Sequence, residues 1–579
     1  MTSSGADSRS GIELAALFFC LAHFDSSQQV RLTELLGGGS MRRGSMTLRA
    51  VLVLLAVWCM RSTPAVGQDA PVRGGTIVVA IVSDPGHLNP AITTSGATHA
   101  AAELLYNGLL GRDERGEPVP ELAESWQVEQ GGAVYRFRLR DGVKWHDGTP
   151  FTAGDVKFTF EEVLLKFHAR TRASMGGLLA GVEAPDDRTV IFRFKQPYAP
   201  LLYQLDATEA PIIARHVYQG TDPQTNPANN NPIGTGPFKF VSYTKGTEIR
   251  LARNPAYFKA GLPYVDGLVM RVIPDLSVQV LALENGEVDF LWELPGPLQS
   301  RVKSDARFQT ARTGYHPGGS NCIMTMSFNL DRPVLKELRV RQAIAHALDR
   351  QAFLSQILFG DGKVAAAPIS SEIPWAHAAG LTMPRPDRAE SEKLLDGAGW
   401  KKEGDGPRTA RGVSGVPDGT RLAIEFLHFP TFAKYGELVR QQLGAVGIGV
   451  TLKPLEPAVF APTVFKDRNF DSNVISYCNG PDPEIGVRRM YHSSQIGPAP
   501  FTNAAAYRNP RVDALFDEAS RTVERDRRSR LYRQVQEIVV QELPYYWLVE
   551  TVSTRAWSAR CSGFKAWTGL FAEGAFCRR

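Results

Sequence analysis

Six cysteines in 579 residues are too few for a disulfide-built scaffold, and no two stand as CxxC. That removes zinc ribbons and thioredoxin-like redox motifs. No HExxH, GxSxG, phosphate-loop or EF-hand pattern occurs, so the commonest zinc-protease, hydrolase, nucleotide and calcium signatures are missing. The 11 histidines are scattered singly. Charge of one sign is not in excess either: 65 basic and 60 acidic residues give a net of +5, without the concentrated basic face that nucleic acid requires. Beyond Met60 no apolar run is long enough to span a membrane.

What is present is an ordinary globular balance, 43% hydrophobic and 22% charged. At roughly 100–200 residues per domain the length suggests about three domains. Near the N-terminus, Arg42, Arg43 and Arg49 precede the apolar run Ala50–Met60, and Ala65 and Gly67 supply small residues for a cut. This is the pattern of a cleavable secretory signal over 41–67. Its apolar run is too short for a membrane anchor. Trp58, where a lipoprotein signal needs a small residue before Cys59, argues for a free and not a lipidated product. Residues 1–40 read as a mis-called extension, with the true start at Met41 or Met46. Cleavage leaves Cys322, Cys478, Cys561 and Cys577, an even set that in an oxidising compartment suggests two disulfides; buried free thiols are the alternative.

Gly74–Pro90 reads as a β-branched strand breaking at Asp84-Pro85-Gly86, and Thr98–Leu110 as a helix capped by Thr98. Alternating strands at "YRFRLRDGVKW" and Arg188–Tyr198 place a small α+β domain over 114–231. Asn231–Phe258 holds a turn, "GTGPFK", followed by two strands. The turn lacks the Lys-Ser/Thr ending of a phosphate loop. Arg339–Gly360 has a helical apolar face ending at a glycine. "RLAIEFLHF", "KYGELVRQQLGAV" and "IGVTLKPLE" form a strand–helix–strand crossover that suits a parallel pair. The second half is therefore α/β, and its tail is a helix running into an aromatic strand.

The stretch Asp141–Val163, "DGVKWHDGTPFTAGDVKFTFEEV", concentrates Trp, His and Asp. Its Asp-Gly pairs are turn dipeptides, and Thr152 with Asp155 three residues on fits a capping box. His146 and Asp147 are adjacent and point apart on a strand, which is poor for a metal. The stretch reads as scaffolding.

The same stretch carries a resemblance. "YNGLLGRDERGEPVPELAESWQV…YRFRLRDGVKWHDGTPFTAGDVKFTFEEV", with "NPIGTGPFKF", "RNPAYFKAGLPYVDGL", "ALENGEVDF", "SFNLDRPVLKELRVRQAIAHALDR" and "YRNPRVDALFDEA" in order, resembles the peptide/nickel class of periplasmic solute-binding proteins of ABC importers, family 5, over residues 74–579. The resemblance implies an α/β fold of the periplasmic-binding-protein type, two lobes around a ligand cleft with an extra α+β accessory domain. Lobe one would be 72–113, 232–313 and 537–579, the accessory domain 114–231, and lobe two 314–536. It implies a monomeric periplasmic receptor, not an enzyme, without cofactor, metal or nucleic acid. The receptor would bind a peptide or another small molecule and hand it to an ABC permease in the inner membrane. An opine, oligosaccharide or nickel complex is the alternative ligand; a periplasmic hydrolase, chemosensor or chaperone is the alternative class.

By the same resemblance Thr94, Ser95 and Gly96 line the cleft from lobe one. Ser476, Tyr477 and Cys478 match the strand that pairs with a peptide backbone, with Tyr477 as an aromatic wall. Oligopeptide binders place an acid just after this strand. Here Asn479-Gly480-Pro481 stands there, leaving Asp482 either to hold a cationic or hydroxyl-bearing ligand group or to cap the helix that follows. Arg488 would meet a ligand carboxylate or form an ion pair, and Trp375 would close over the ligand or pack in the core. The expected disulfides are Cys561–Cys577, closing a short loop, and Cys322–Cys478, where Cys478 resembles a position bridged in some oligopeptide binders.

Overall fold

The computed structural model describes residues 70–93, 95–313, 321–565 and 569–578. The proposed extension and signal, 1–67, lie outside the described residues, as does Thr94.

Two mixed sheets organise the chain. In the first, the central strand Thr76–Ile81 pairs in parallel with Gly267–Val272 and with Phe290–Leu291. The strand order is Phe308–Thr313, Ser553–Ser558, Phe290–Leu291, Thr76–Ile81, Gly267–Val272, Glu248–Arg253, Phe238–Thr244. One face packs Ala80, Leu291 and Ala556 with Val280 and Leu283 of helix Leu276–Glu284 and Val302 of helix Gly296–Lys303. The other face carries Ile77, Val79 and Phe290 into a larger core.

That larger core does not stop at the first sheet. It runs on into Tyr135, Phe137 and Phe192, which belong to an antiparallel sheet of Ala123–Glu129, Val134–Leu139, Thr189–Phe194 and Leu179–Asp186. This antiparallel sheet is thus fused to the first sheet through shared packing.

The second sheet has the order Gly362–Val364, Tyr545–Thr551, Cys322–Phe328, Ser472–Cys478, Ala423–His428, Gly449–Pro454. Ala423–His428 and Gly449–Pro454 are parallel and joined by helix Ala433–Ala445, the crossover expected from the sequence. Cys322 faces Cys478 across neighbouring strands and Cys561 faces Cys577, and both pairs are disulfide-bonded.

Three expectations need correction. The expected boundary at 537 is too early: helix Arg525–Glu542 packs in the core of the second sheet, and Tyr545–Thr551 is one of its strands. The chain returns to lobe one between Thr551 and Ser553, where Ser553 pairs with Thr313. The helix expected over Thr98–Leu110 is Gly96–Ala102. Thr98 donates its hydroxyl to the Pro85 carbonyl instead of capping, and the Leu104 and Leu105 carbonyls are taken by Phe238 and Gly236 amides. The helix expected over Arg339–Gly360 is two, Leu338–Ala347 and Arg350–Gln356. Asp349 accepts from the Gln351 amide at 2.9 Å, and this N-cap starts a second helix where the first would have continued.

Candidate functional site

The stretch Asp141–Val163 is structural. Trp145 is 2% exposed and meets the Phe151 ring edge-on at 5.9 Å. His146 accepts from the Gly234 amide at 3.1 Å through Nδ1, which leaves Nε2 to donate to the Gly236 carbonyl at 3.1 Å. Burial pushes its pKa down to about 4, so the ring is neutral. The "GTGPFK" turn is therefore clasped by "WHDG". Its glycines are needed for close approach: a Cβ at Gly234 would stand 1.7 Å from the Leu105 carbonyl oxygen. The Thr152 amide donates to Asp155 at 2.9 Å, completing the acidic half of the cap.

In lobe two the strand Ser472–Cys478 is fully paired with Cys322–Phe328 on one side. On the other, pairing with Ala423–His428 ends at Asn473. Val474–Cys478 therefore has an edge with no strand beside it among the described residues. Arg489 donates to the Cys478 carbonyl at 3.3 Å and lies within the field of Arg170 and Glu209 from the accessory region, so this end of the strand faces the other half of the molecule. Ser476 and Cys478 are half-buried on it. Tyr477 is not an aromatic wall. It points the other way, is 1% exposed, and packs edge-on against Tyr545 in the lobe-two core.

Asp482 is fully buried, with one carboxylate oxygen committed within the protein and Oδ2 without a partner. Its Oδ1 caps the Glu484 amide at 3.0 Å and receives Arg528 at 2.7 Å. This is the capping alternative, with Pro483 in the first turn. Arg488 takes the ion-pair alternative, with Asp517 at 2.7 Å and Glu484 at 3.1 Å. Trp375 is half-buried against Tyr532, with the guanidinium groups of Arg525 and Arg528 over its ring. Asn479 joins this group by accepting from the Ser370 amide at 2.6 Å. Trp375, Asp482 and Arg488 thus belong to one network that supports the loop after the strand. In lobe one, Ser95 and Gly96 are exposed at the start of helix Gly96–Ala102, and Ser95 donates its amide to the Thr93 hydroxyl at 3.1 Å.

Glu484 titrates within this network. Burial raises its pKa to about 7, opposed by Arg488 and assisted by Asp482. The folded state then holds the proton more tightly than the unfolded chain, whose carboxyl titrates near the ordinary 4.5. The group's contribution is complete below pH 4.5 and is lost as pH rises through 7. Glu484→Gln is expected to be more stable than wild type at pH 8, by up to about 3 kcal/mol, with no gain at pH 4.5. Denaturant unfolding at the two pH values checks this.

Sequence reasoning passed over Arg555 and Glu103. Both are buried. Glu103 accepts from the Thr208 hydroxyl at 2.9 Å and pairs with His99 at 3.0 Å. The alternation of Ser553, Arg555 and Trp557 along one strand was the available signal for an inward-facing arginine.

The family model described as bacterial extracellular solute-binding proteins, family 5 Middle, matches residues 117–498. The chain belongs to this family. Among similar proteins, the oligopeptide-binding protein AppA of Bacillus subtilis is 28% identical over 545 residues, covering 90% of this chain and 96% of that protein. Protein XP55 of Streptomyces lividans is 30% identical over 507 residues, covering 85% and 86%. The structure of the B. subtilis AppA in complex with a nonapeptide superposes with a TM-score of 0.73 at 26% identity, over 88% of this chain and all of that one. NikZ from Campylobacter jejuni in complex with Ni(L-His) gives 0.72 at 26% identity, over 86% and 97%. This solute-binding protein therefore has the two-lobed α/β fold of the family, and the chain passes from one lobe to the other between Thr551 and Ser553. Among the described residues no helix is long and apolar enough to cross a membrane.

Proposed function

We propose that the chain is a periplasmic receptor that captures a peptide or peptide-like solute between its lobes and delivers it to the membrane permease of an ABC importer. The observation that carries this reading is the unpaired edge of Val474–Cys478. A sheet edge offers alternating amides and carbonyls that an extended peptide satisfies by adding a strand, whatever its side chains. Similarity to proteins named for oligopeptide binding supports the same class of ligand. The receptor works as a monomer, is released from the membrane by cleavage after Gly67 without lipidation, and performs no chemistry on its cargo. The lobes close by hinge motion about the passage between Thr551 and Ser553. In the lobe-two network Asp482 gives its Oδ1 to Arg528 and the helix cap, and backbone pairing along Val474–Cys478 carries the binding there.

Native protein purified from the periplasm should carry a ligand whose mass and fragmentation show an amide backbone. A synthetic match at about 100 times its dissociation constant should add roughly 2.7 kcal/mol of stability. A retained sugar or metal complex, with no thermal shift from any peptide, would sink the reading.

A further inference from the structure

Arginine is deeply buried at several places, and nearly everywhere its guanidinium is spent. Arg341 donates to the carbonyls of Leu335, Lys336, Glu542 and Leu543. Arg408 reaches Asp396 and the carbonyls of Trp400 and Val446. Arg528 holds Asp482, Tyr532 and the Ala519 carbonyl. Arg555 breaks the pattern. It is 1% exposed, yet Nε, Nη1 and Nη2 all lack a hydrogen-bond partner. No carboxylate among the described residues stands within ion-pair distance. Its guanidinium lies over the Trp292 indole at 4.3 Å and more distantly over Phe290 at 6.0 Å. Burial works against its charge, with the field of Glu103 as the opposing influence.

Register fixes where this group sits. Phe290 pairs with Trp557 and Leu291 with Ala556, while Val79 pairs with Phe290 and Ala80 with Leu291. Trp292 and Arg555 are the next step along, level with Ile81, the last residue of the central strand. The carboxyl end of parallel strands is where open α/β sheets bind ligands. Arg555 is also three residues past Val552, where the chain passes between lobes. A planar guanidinium, held flat by an aromatic ring and offering paired donors, matches a carboxylate. Left without an anion, a buried charge is costly.

We infer that Arg555 is an anion anchor on lobe one, taking a carboxylate of the bound solute in its guanidinium fork while Trp292 fixes the plane of that fork. The inference deepens the peptide-receptor reading and rests on it for the identity of the solute: a peptide-like molecule that presents either its C-terminal carboxylate or an acidic side chain to lobe one.

The test uses the full mature protein, stripped of ligand by unfolding and refolding. Three tripeptide libraries serve as probes: free acids, C-terminal amides without acidic residues, and C-terminal amides carrying one Glu. Calorimetry should show wild type binding free acids or Glu-bearing amides about 100-fold or more tightly than neutral amides, and which of the two wins identifies the source of the carboxylate. Arg555→Gln should lose that preference. Undiminished preference in Arg555→Gln would overturn the anchor and leave the receptor reading standing. If wild type binds no library member, the peptide reading fails and the anchor is decided separately. Arg555→Met in the ligand-free protein should raise the melting temperature, because an unpaired buried charge is removed. A fall would show that Arg555 is a structural residue and would overturn the inference.

Discussion

Asp482→Asn is expected to cost the ligand-free protein about 3–5 kcal/mol, the range for removing one partner of a buried ion pair. The amide keeps an oxygen for the Glu484 cap but loses the charge that neutralises Arg528, whose own side chain is buried beneath Trp375 and Tyr532. The loss comes from stranding Arg528, so Asp482→Asn with Arg528→Met should recover part of it, a coupling that a double-mutant cycle reads directly. The thermal shift on adding ligand should be unchanged in both variants. Normal stability with a lost ligand shift in Asp482→Asn would instead return this carboxylate to the cleft.

Trp145→Ala should be of similar size, about 3–5 kcal/mol. The ring is buried in the shared core, edge-on to Phe151 and near His216 at 6.3 Å. Its neighbour His146 clasps Gly234 and Gly236, so the cavity opens beside that turn. Denaturant unfolding without ligand measures the loss. A variant as stable as wild type would mean that the ring contributes nothing to the core.

The strand–helix–strand at Ala423–Pro454 was legible because everything that defines it is local: a period of two, then 3.6, then two, with glycine at the join. The capping box at Thr152 was local in the same way. The boundary near 552 was not legible. Tyr545–Thr551 and Ser553–Ser558 follow one another with only Val552 between them, and only pairing with partners hundreds of residues away assigns them to different sheets. Tyr477 was misplaced because Ser472–Cys478 is buried on both faces at its start, so alternation carries no sign of which face is the cleft. Asp482 read equally as a cap or a ligand group until Arg528, 46 residues away, came beside it.

The placement of Ser553–Ser558 has a consequence for how the molecule is made. This strand fits between Phe290–Leu291 and Phe308–Thr313, and the preceding strand, Tyr545–Thr551, lies beside Cys322–Phe328. During synthesis both sheets therefore wait with an open slot until residues 545–558 have left the ribosome. Neither lobe can complete early, as independent domains folding one after another would. The delay follows from topology: the strand that completes each sheet comes after every other strand of that sheet in the chain.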